Sequence, residues 1–124
     1  MARIERFEEI KAWQEGRELC KLVYTCSNAA PFSRDYGLRD QIRRAAVSVV
    51  SNIAEGFESQ NDRTFIRYLY IARASSGELR AQTYVALDQG YINQEAFKSI
   101  YDTACATSRM ITGFITYLSR SPAP

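Results

Sequence analysis

The 124-residue sequence contains no histidine. Histidine is the commonest general base, the usual partner in nucleophilic triads and the most frequent metal ligand, so its absence excludes most familiar catalytic constellations. The three cysteines, Cys20, Cys26 and Cys105, are odd in number and have no C-x-x-C spacing. They favour neither a disulfide framework nor a zinc site, and we expect them to pack as small hydrophobic side chains. We therefore predict no enzymatic activity, no cofactor and no metal.

Long apolar runs and a strong net charge are also missing. The longest run of small apolar residues, Ala45 to Val50, is interrupted by Ser48 and is far shorter than the roughly 20 residues needed to cross a bilayer. The segment Met1–Arg6 is not followed by the apolar stretch of a signal peptide. We therefore expect a cytoplasmic protein that makes no membrane contact. The net charge of +2 is too small to indicate nucleic acid by itself.

Only three prolines occur, and the glycines are widely spaced, which leaves long segments free to form helices. Apolar residues recur at intervals of three and four in four segments, at about residues 7–28, 34–57, 62–88 and 94–119. Ser33 or Asp35 is suited to cap the second helix and Asn93 the fourth, and Gly90 suits a left-handed helix terminus. Short connections make sequential helices antiparallel neighbours. The sequence predicts one all-α domain over residues 1–124, an antiparallel up-down-up-down four-helix bundle.

The second helix is apolar on more than one side. Leu38, Ile42, Ala45, Val49 and Ile53 form its main stripe, whereas Val47 and Val50 lie off that stripe. A helix of this kind is buried on more than one side, and a monomeric bundle offers no obvious place for both valines. Eight tyrosines are also more than the seam of a slim bundle needs, and tyrosine is enriched at interfaces. Both features favour self-association.

A polar stripe interrupts the same helix. Ser48, Asn52 and Glu55 are spaced three and four apart on one face, and the third helix offers Ser75 and Glu78 as counterparts. Two interpretations are open. The five residues form a structural polar network that fixes helix register, or Glu55 and Glu78 form a carboxylate pair that binds metal or acts as acid and base. We favour the network, because a di-iron bundle needs Glu-x-x-His pairs.

Arginine supplies thirteen of the sixteen basic residues. Arg39, Arg43 and Arg44 cluster on the second helix, and Arg63 and Arg67 add charge on the third. With nearby tyrosines they are candidate contacts to RNA or single-stranded DNA, because stacking and charge cooperate there. Neighbouring aspartates favour the alternative of a solvated or intersubunit salt-bridge face.

Two motifs in the second helix are specific enough to suggest a family. They are Tyr36-Gly37-Leu38 followed by Gln41–Ser48, and Ser51-Asn52-Ile53-Ala54-Glu55-Gly56. With Trp13-Gln14 and Ile71-Ala72, the chain resembles the four-helix-bundle proteins encoded in intervening sequences of bacterial 23S rRNA genes. The resemblance implies a homopentameric ring with no known catalytic activity. Related proteins are accessory factors of diversity-generating retroelements, which implies a nucleic acid or a nucleic-acid-processing protein, such as a reverse transcriptase, as an alternative partner.

Overall fold

The computed structural model describes residues 3–120, and within that range all regular structure is helical. A 3-10 turn at Phe7–Glu9 precedes α1 (Lys11–Ser27), and a second 3-10 turn, Phe32–Arg34, lies between α1 and α2 (Tyr36–Glu58). The last two helices are α3 (Asp62–Asp88) and α4 (Gln94–Ser119). The first helix is shorter than predicted, because Phe7–Glu9 forms a separate turn and Ile10 is extended.

Local capping fixes the helix starts. Asp35 Oδ1 accepts a hydrogen bond from the backbone N–H of Leu38 at 3.1 Å, and Asn93 caps α4 through the N–H of Ala96 at 2.8 Å. Of the two candidate caps for α2, Asp35 is therefore the one used. Gly90, with φ of +74°, occupies the left-handed region as predicted for the turn between α3 and α4.

The four helices form an antiparallel bundle. Each helix packs against its neighbours along the chain, and α1 also packs against α4, so the ring of contacts is closed. Contacts fix the direction of the first two pairs: Gly16 early in α1 lies near Val50 late in α2, and Gly56 late in α2 lies near Phe65 early in α3. The all-α bundle predicted from the spacing is confirmed. Among the described helices, none is long and apolar enough to span a bilayer.

The core consists of two apolar clusters at the two ends of the bundle. One contains Leu19, Ile42 and Leu79 and closes around Phe32, and the other contains Ile53, Leu69 and Ile111. The inward face of α3 is buried along the whole helix, at Phe65, Leu69, Ala72, Ser76, Leu79, Thr83 and Ala86. In α4 the buried positions include Ile100 and Thr107. Phe97 and Tyr101 are only partly buried and instead pack around Tyr84 at the α3–α4 edge.

Candidate functional site

A layer of small and polar residues lies between the two apolar clusters. On the α2–α3 side, the hydroxyl oxygens of Ser48 and Ser75 are 2.8 Å apart and share a hydrogen bond. Asn52 Nδ2 donates to the backbone carbonyl of Ser48 at 2.7 Å and to its hydroxyl at 3.0 Å. The structure thus brings together three of the five residues that the sequence suggested as a polar network. Because hydrogen bonds require specific partners, these contacts favour one register of α2 against α3.

The layer continues across α3 to α4 through two serines that the sequence analysis did not include in the polar network. Ser108 Oγ donates to Ser76 Oγ at 2.9 Å, and Ser76 Oγ donates to the carbonyl of Ala104 at 3.0 Å. Ser76 is fully buried. The sequence does contain a signal for these contacts. Ser76 and Ser108 both stand in a row of core-facing positions where an apolar residue is usual.

Glu55 and Glu78 lie outside this layer, in contrast to the predicted set of five. Both are exposed; Glu78 accepts a 3.4 Å hydrogen bond from Gln82 Nε2. Ser48 faces Ser75 in an antiparallel pair, so Glu55 and Glu78 are displaced in opposite directions along the axis, by roughly 15 Å in total at 1.5 Å per residue. Two ligands of one metal ion must be within about 5 Å of each other. The carboxylates therefore do not form the pair required by the metal or acid–base alternative.

Other candidate chemistry is sparse in the described part of the chain. Across residues 3–120 there is no group of three histidine, cysteine or carboxylate side chains that could hold a metal ion. The three cysteines are unpaired and partly buried. Burial disfavours the charged thiolate and raises the pKa of Cys20 and of Cys26 to about 11, so both thiols stay protonated near neutral pH.

Two of the candidate arginines lie over tyrosine rings near the start of α2. Arg43 donates from Nε to Ser27 Oγ at 2.8 Å, and its guanidinium carbon lies 4.6 Å from the ring centroid of Tyr24. Arg39 lies 4.8 Å from the ring of Tyr36 and forms a 3.0 Å ion pair with Asp40. Tyr24 and Tyr36 are both exposed. These pairs hold two guanidinium groups at the surface in defined orientations.

The candidate arginines do not form one continuous patch. Arg44 is exposed on α2 and lines a shallow groove of about 600 Å³ together with Arg43 and Val47. Arg63 and Arg67 are exposed on the first turns of α3, at the opposite end of the bundle. The antiparallel register separates the two groups by roughly 20–30 Å along the axis. Within residues 3–120, Arg44, Arg63 and Arg67 form no ion pair.

Comparison with known proteins identifies the family of this chain. A family model described as 23S rRNA-intervening sequence protein matches residues 8–113. The chain belongs to that family. The matched range includes all of α1, α2 and α3 and most of α4, so the polar layer and the candidate arginines of this 23S rRNA-intervening sequence protein all lie inside it.

A solved structure has the same fold. It is a protein of unknown function from the S23 ribosomal protein family of Bacteroides thetaiotaomicron, with a TM-score of 0.77 and 21% identity over 85% of this chain and 95% of that chain. At that identity, the similarity establishes the four-helix architecture of the 23S rRNA-intervening sequence protein and nothing about its ligand. No curated protein sequence matches the chain.

Proposed function

We propose that this member of the 23S rRNA-intervening sequence family is a non-enzymatic, homo-oligomeric scaffold or interaction protein of the cytoplasm. The observation that carries the proposal is the exposure of aliphatic side chains on two neighbouring helices. Val47 on α2 and Ile71 and Val85 on α3 are 41%, 47% and 46% exposed in the single chain. These three exposed aliphatic side chains provide apolar surface that contact with another molecule would bury.

Val47 and Val50 differ in a way that supports self-association. A Cβ atom built on Gly16 of α1 would lie 3.0 Å from Cγ1 of Val50, so the glycine makes room for this valine inside the bundle. Val50 is accordingly only partly exposed, whereas Val47 remains exposed. Of the two valines that lie off the main stripe of α2, one is thus accommodated within the chain. The other is available to a second copy.

The proposal that the protein is not an enzyme is supported by the chemistry of its polar groups. The sequence has no histidine. The hydroxyls of Ser48 and Ser75 bond to each other, and the hydroxyl of Ser76 donates to the carbonyl of Ala104 on α4. Glu55 and Glu78 are far apart along the bundle axis. The hydrogen bonds of this layer therefore have a structural role, which is to favour one axial alignment of the helices in the bundle. The three unpaired cysteines suit a reducing compartment.

The first experiment is the mass of the purified protein in solution by multi-angle light scattering. Resemblance to the family implies a pentamer, so we expect a mass near five times 14.1 kDa that persists on dilution. Association through aliphatic side chains should also persist at high salt, since the hydrophobic effect is not weakened by screening. A mass of one chain at every concentration would contradict the proposal.

A second candidate function, nucleic-acid binding, is favoured by the arginine–tyrosine pairs near the start of α2. Arg43 over Tyr24 and Arg39 over Tyr36 place cationic and aromatic groups together at one end of each bundle. An assembly of several copies would repeat these arginine–tyrosine pairs, so that one nucleic acid contacts several of them at once and the phosphate contacts add up. A nucleic acid bound there would meet both charge and stacking surfaces.

We expect fluorescence anisotropy to detect binding of a single-stranded RNA at low salt and a steep loss of affinity at physiological salt, because counterions are released from neutralised phosphates. A variant with both Arg43→Gln and Arg44→Gln should bind less tightly and show a shallower salt dependence. Lys98→Gln is the control: Lys98 is a surface cation on α4 that is already paired with Asp102 at 2.7 Å. No binding by the parent protein at low salt would eliminate this candidate.

A further inference from the structure

A groove lies at the end of the bundle where α2 and α4 end and α3 begins. Its walls come from residues 3–5, the connection between α2 and α3, and the last two turns of α4, and its volume is about 1160 Å³. Ordinary small-molecule pockets have volumes of about 300–1,000 Å³. The groove is therefore large enough to hold a segment of polypeptide chain. We call it the end groove.

A row of four aromatic rings lines the end groove. The ring centroid of Phe65 lies 6.2 Å from that of Phe57 and 5.2 Å from that of Phe114. Phe114 in turn lies 5.9 Å from Tyr117. Phe65 is buried and Tyr117 is 48% exposed, so the row leads from the core to the surface. Because the face of an aromatic ring carries partial negative charge, such a row attracts cations as well as apolar groups.

One wall of the end groove contains a glycine in the interior of a helix. Gly113 on α4 lines the groove, and a Cβ atom built on it would have no neighbouring atom within 4 Å. Glycine at such a position makes a helix less stable than alanine does, so close packing does not account for this residue. Its missing side chain leaves space in the groove that a ligand can occupy.

Carboxylates outnumber basic groups in the end groove. Glu5, Glu58 and Asp62 line it together with one basic residue, Arg3, and all four are exposed. No ion pair within residues 3–120 includes any of them. The helices α2 and α4 both end here without a basic residue in the last turn, and each helix C-terminus adds roughly half a negative charge. The positive end of the α3 dipole is offset by the Asp62 carboxylate. Arg120 follows α4 but lies outside the lining.

We propose that the end groove binds a basic peptide segment of a partner protein, with apolar side chains against the aromatic row and lysine or arginine side chains at the carboxylates. This inference rests on the proposed role as an interaction protein and adds the chemistry of one partner. Complementary charge selects the occupant, because an acidic segment or RNA would meet like charge, and a neutral apolar segment would leave the carboxylates without partners. A second copy that presented the same end would also meet like charge.

Fluorescence polarisation with three labelled hexapeptides tests the chemistry of the occupant. One peptide alternates lysine and leucine, one glutamate and leucine, and one lysine and serine. We expect saturable binding of the lysine–leucine peptide at low salt, and binding at least about tenfold weaker for the other two, since each lacks one complementary feature. Added salt should weaken the binding, because the carboxylates are exposed. No binding of the lysine–leucine peptide, or equal binding of the glutamate–leucine peptide, overturns the proposal.

Two variants locate the bound peptide. Gly113→Leu fills the open space, and Glu58→Gln combined with Asp62→Asn removes two of the carboxylates. We expect either change to weaken binding about three- to tenfold. The matched control is Asp88→Asn with Glu95→Gln, which makes the same charge change at the opposite end of the bundle, again at the last residue of one helix and in the first turn of the next. The control should keep the parental affinity. Parental affinity in both groove variants would overturn the assignment to this groove.

Light scattering on the same samples separates this inference from the proposed self-association. We expect Gly113→Leu to remain helical by circular dichroism, because leucine is a better helix former than glycine, and to keep the parental mass. A lower mass would show a second copy in the end groove and overturn the peptide as its occupant. An assembled parent that binds no peptide overturns the groove assignment alone. A monomeric parent that binds the peptide supports the groove assignment and contradicts the self-association.

Discussion

Replacing Phe32 with alanine is expected to lower the free energy of unfolding by about 3–5 kcal/mol, the range measured for large aromatic-to-alanine changes in protein cores. Phe32 is fully buried although it lies in the connection between α1 and α2. Its ring stacks on Tyr91 from the α3–α4 turn at 5.2 Å between centroids, with 23° between the planes. The side chain therefore closes one end of the bundle, and its removal leaves a cavity that the two connections cannot fill without losing their own contacts.

Urea denaturation followed by circular dichroism at fixed protein concentration measures this loss. Tyr36→Ala, at an aromatic residue that is 64% exposed, is the control: it removes an exposed contact with Arg39 and should lower stability by at most about 1 kcal/mol. Tyr91→Phe keeps the stacked ring and removes only the 2.9 Å hydrogen bond from its hydroxyl to Asp35, which should cost about 0.5–1.5 kcal/mol. A loss below about 1 kcal/mol for Phe32→Ala would show that this ring does not support the end of the bundle.

Gly56→Ala and Gly113→Ala should change stability in opposite directions. A Cβ atom on Gly56 would lie 2.6 Å from Cδ1 of Phe65 and 2.9 Å from Cβ of Tyr68. The Cβ of Tyr68 is fixed to its backbone, so α2 and α3 must separate to relieve the contact. Overpacking of this kind costs typically about 1–3 kcal/mol, and the better helix propensity of alanine recovers at most about 1 kcal/mol. We expect a net loss for Gly56→Ala.

Gly113 gives the matched comparison because it also lies in a helix interior but has nothing within 4 Å of a built Cβ. Alanine there should raise the free energy of unfolding by about 0.5–1 kcal/mol through helix propensity alone. Denaturant titration of the two variants and the parent measures the change in the free energy of unfolding. Because both substitutions bring the same gain in helix propensity, the difference between them measures the cost of overpacking at Gly56. A gain of stability in Gly56→Ala would mean that α2 and α3 can separate at this point at little cost.

The helices themselves are determined locally. Apolar spacing of three and four gave the extent of α2, α3 and α4 to within two residues, because a helix exposes its periodicity in any window of a few turns. The caps Asp35 and Asn93 and the left-handed Gly90 are equally local, since each depends on the chemistry of one side chain and its next few residues. The shorter α1 shows the limit: apolar periodicity continued through Phe7, where the backbone forms a separate turn.

Which candidate residues meet depends on the axial alignment of helices that are far apart in the sequence. Ser48 and Ser75 are 27 residues apart and meet, whereas Glu55 and Glu78 are 23 residues apart and do not. The residue types are equally plausible in both pairs, so sequence spacing on separate helices could not decide between them. The arginines illustrate the same point, because Arg43 and Arg63 belong to one set of candidate nucleic-acid contacts but lie at opposite ends of the bundle.

The sequence by itself determined an all-helical chain, the inner faces of α2 and α3, and the exclusion of histidine chemistry, since these follow from composition and from contacts within a few residues. Only the tertiary structure decided which polar side chains meet in the middle layer, that Phe32 closes one end of the core, and that Val50 finds room at Gly16 while Val47 does not. The physical reason is that side-chain contacts between helices depend on their relative rotation and axial position. Those are set by packing of the whole bundle rather than by any one segment.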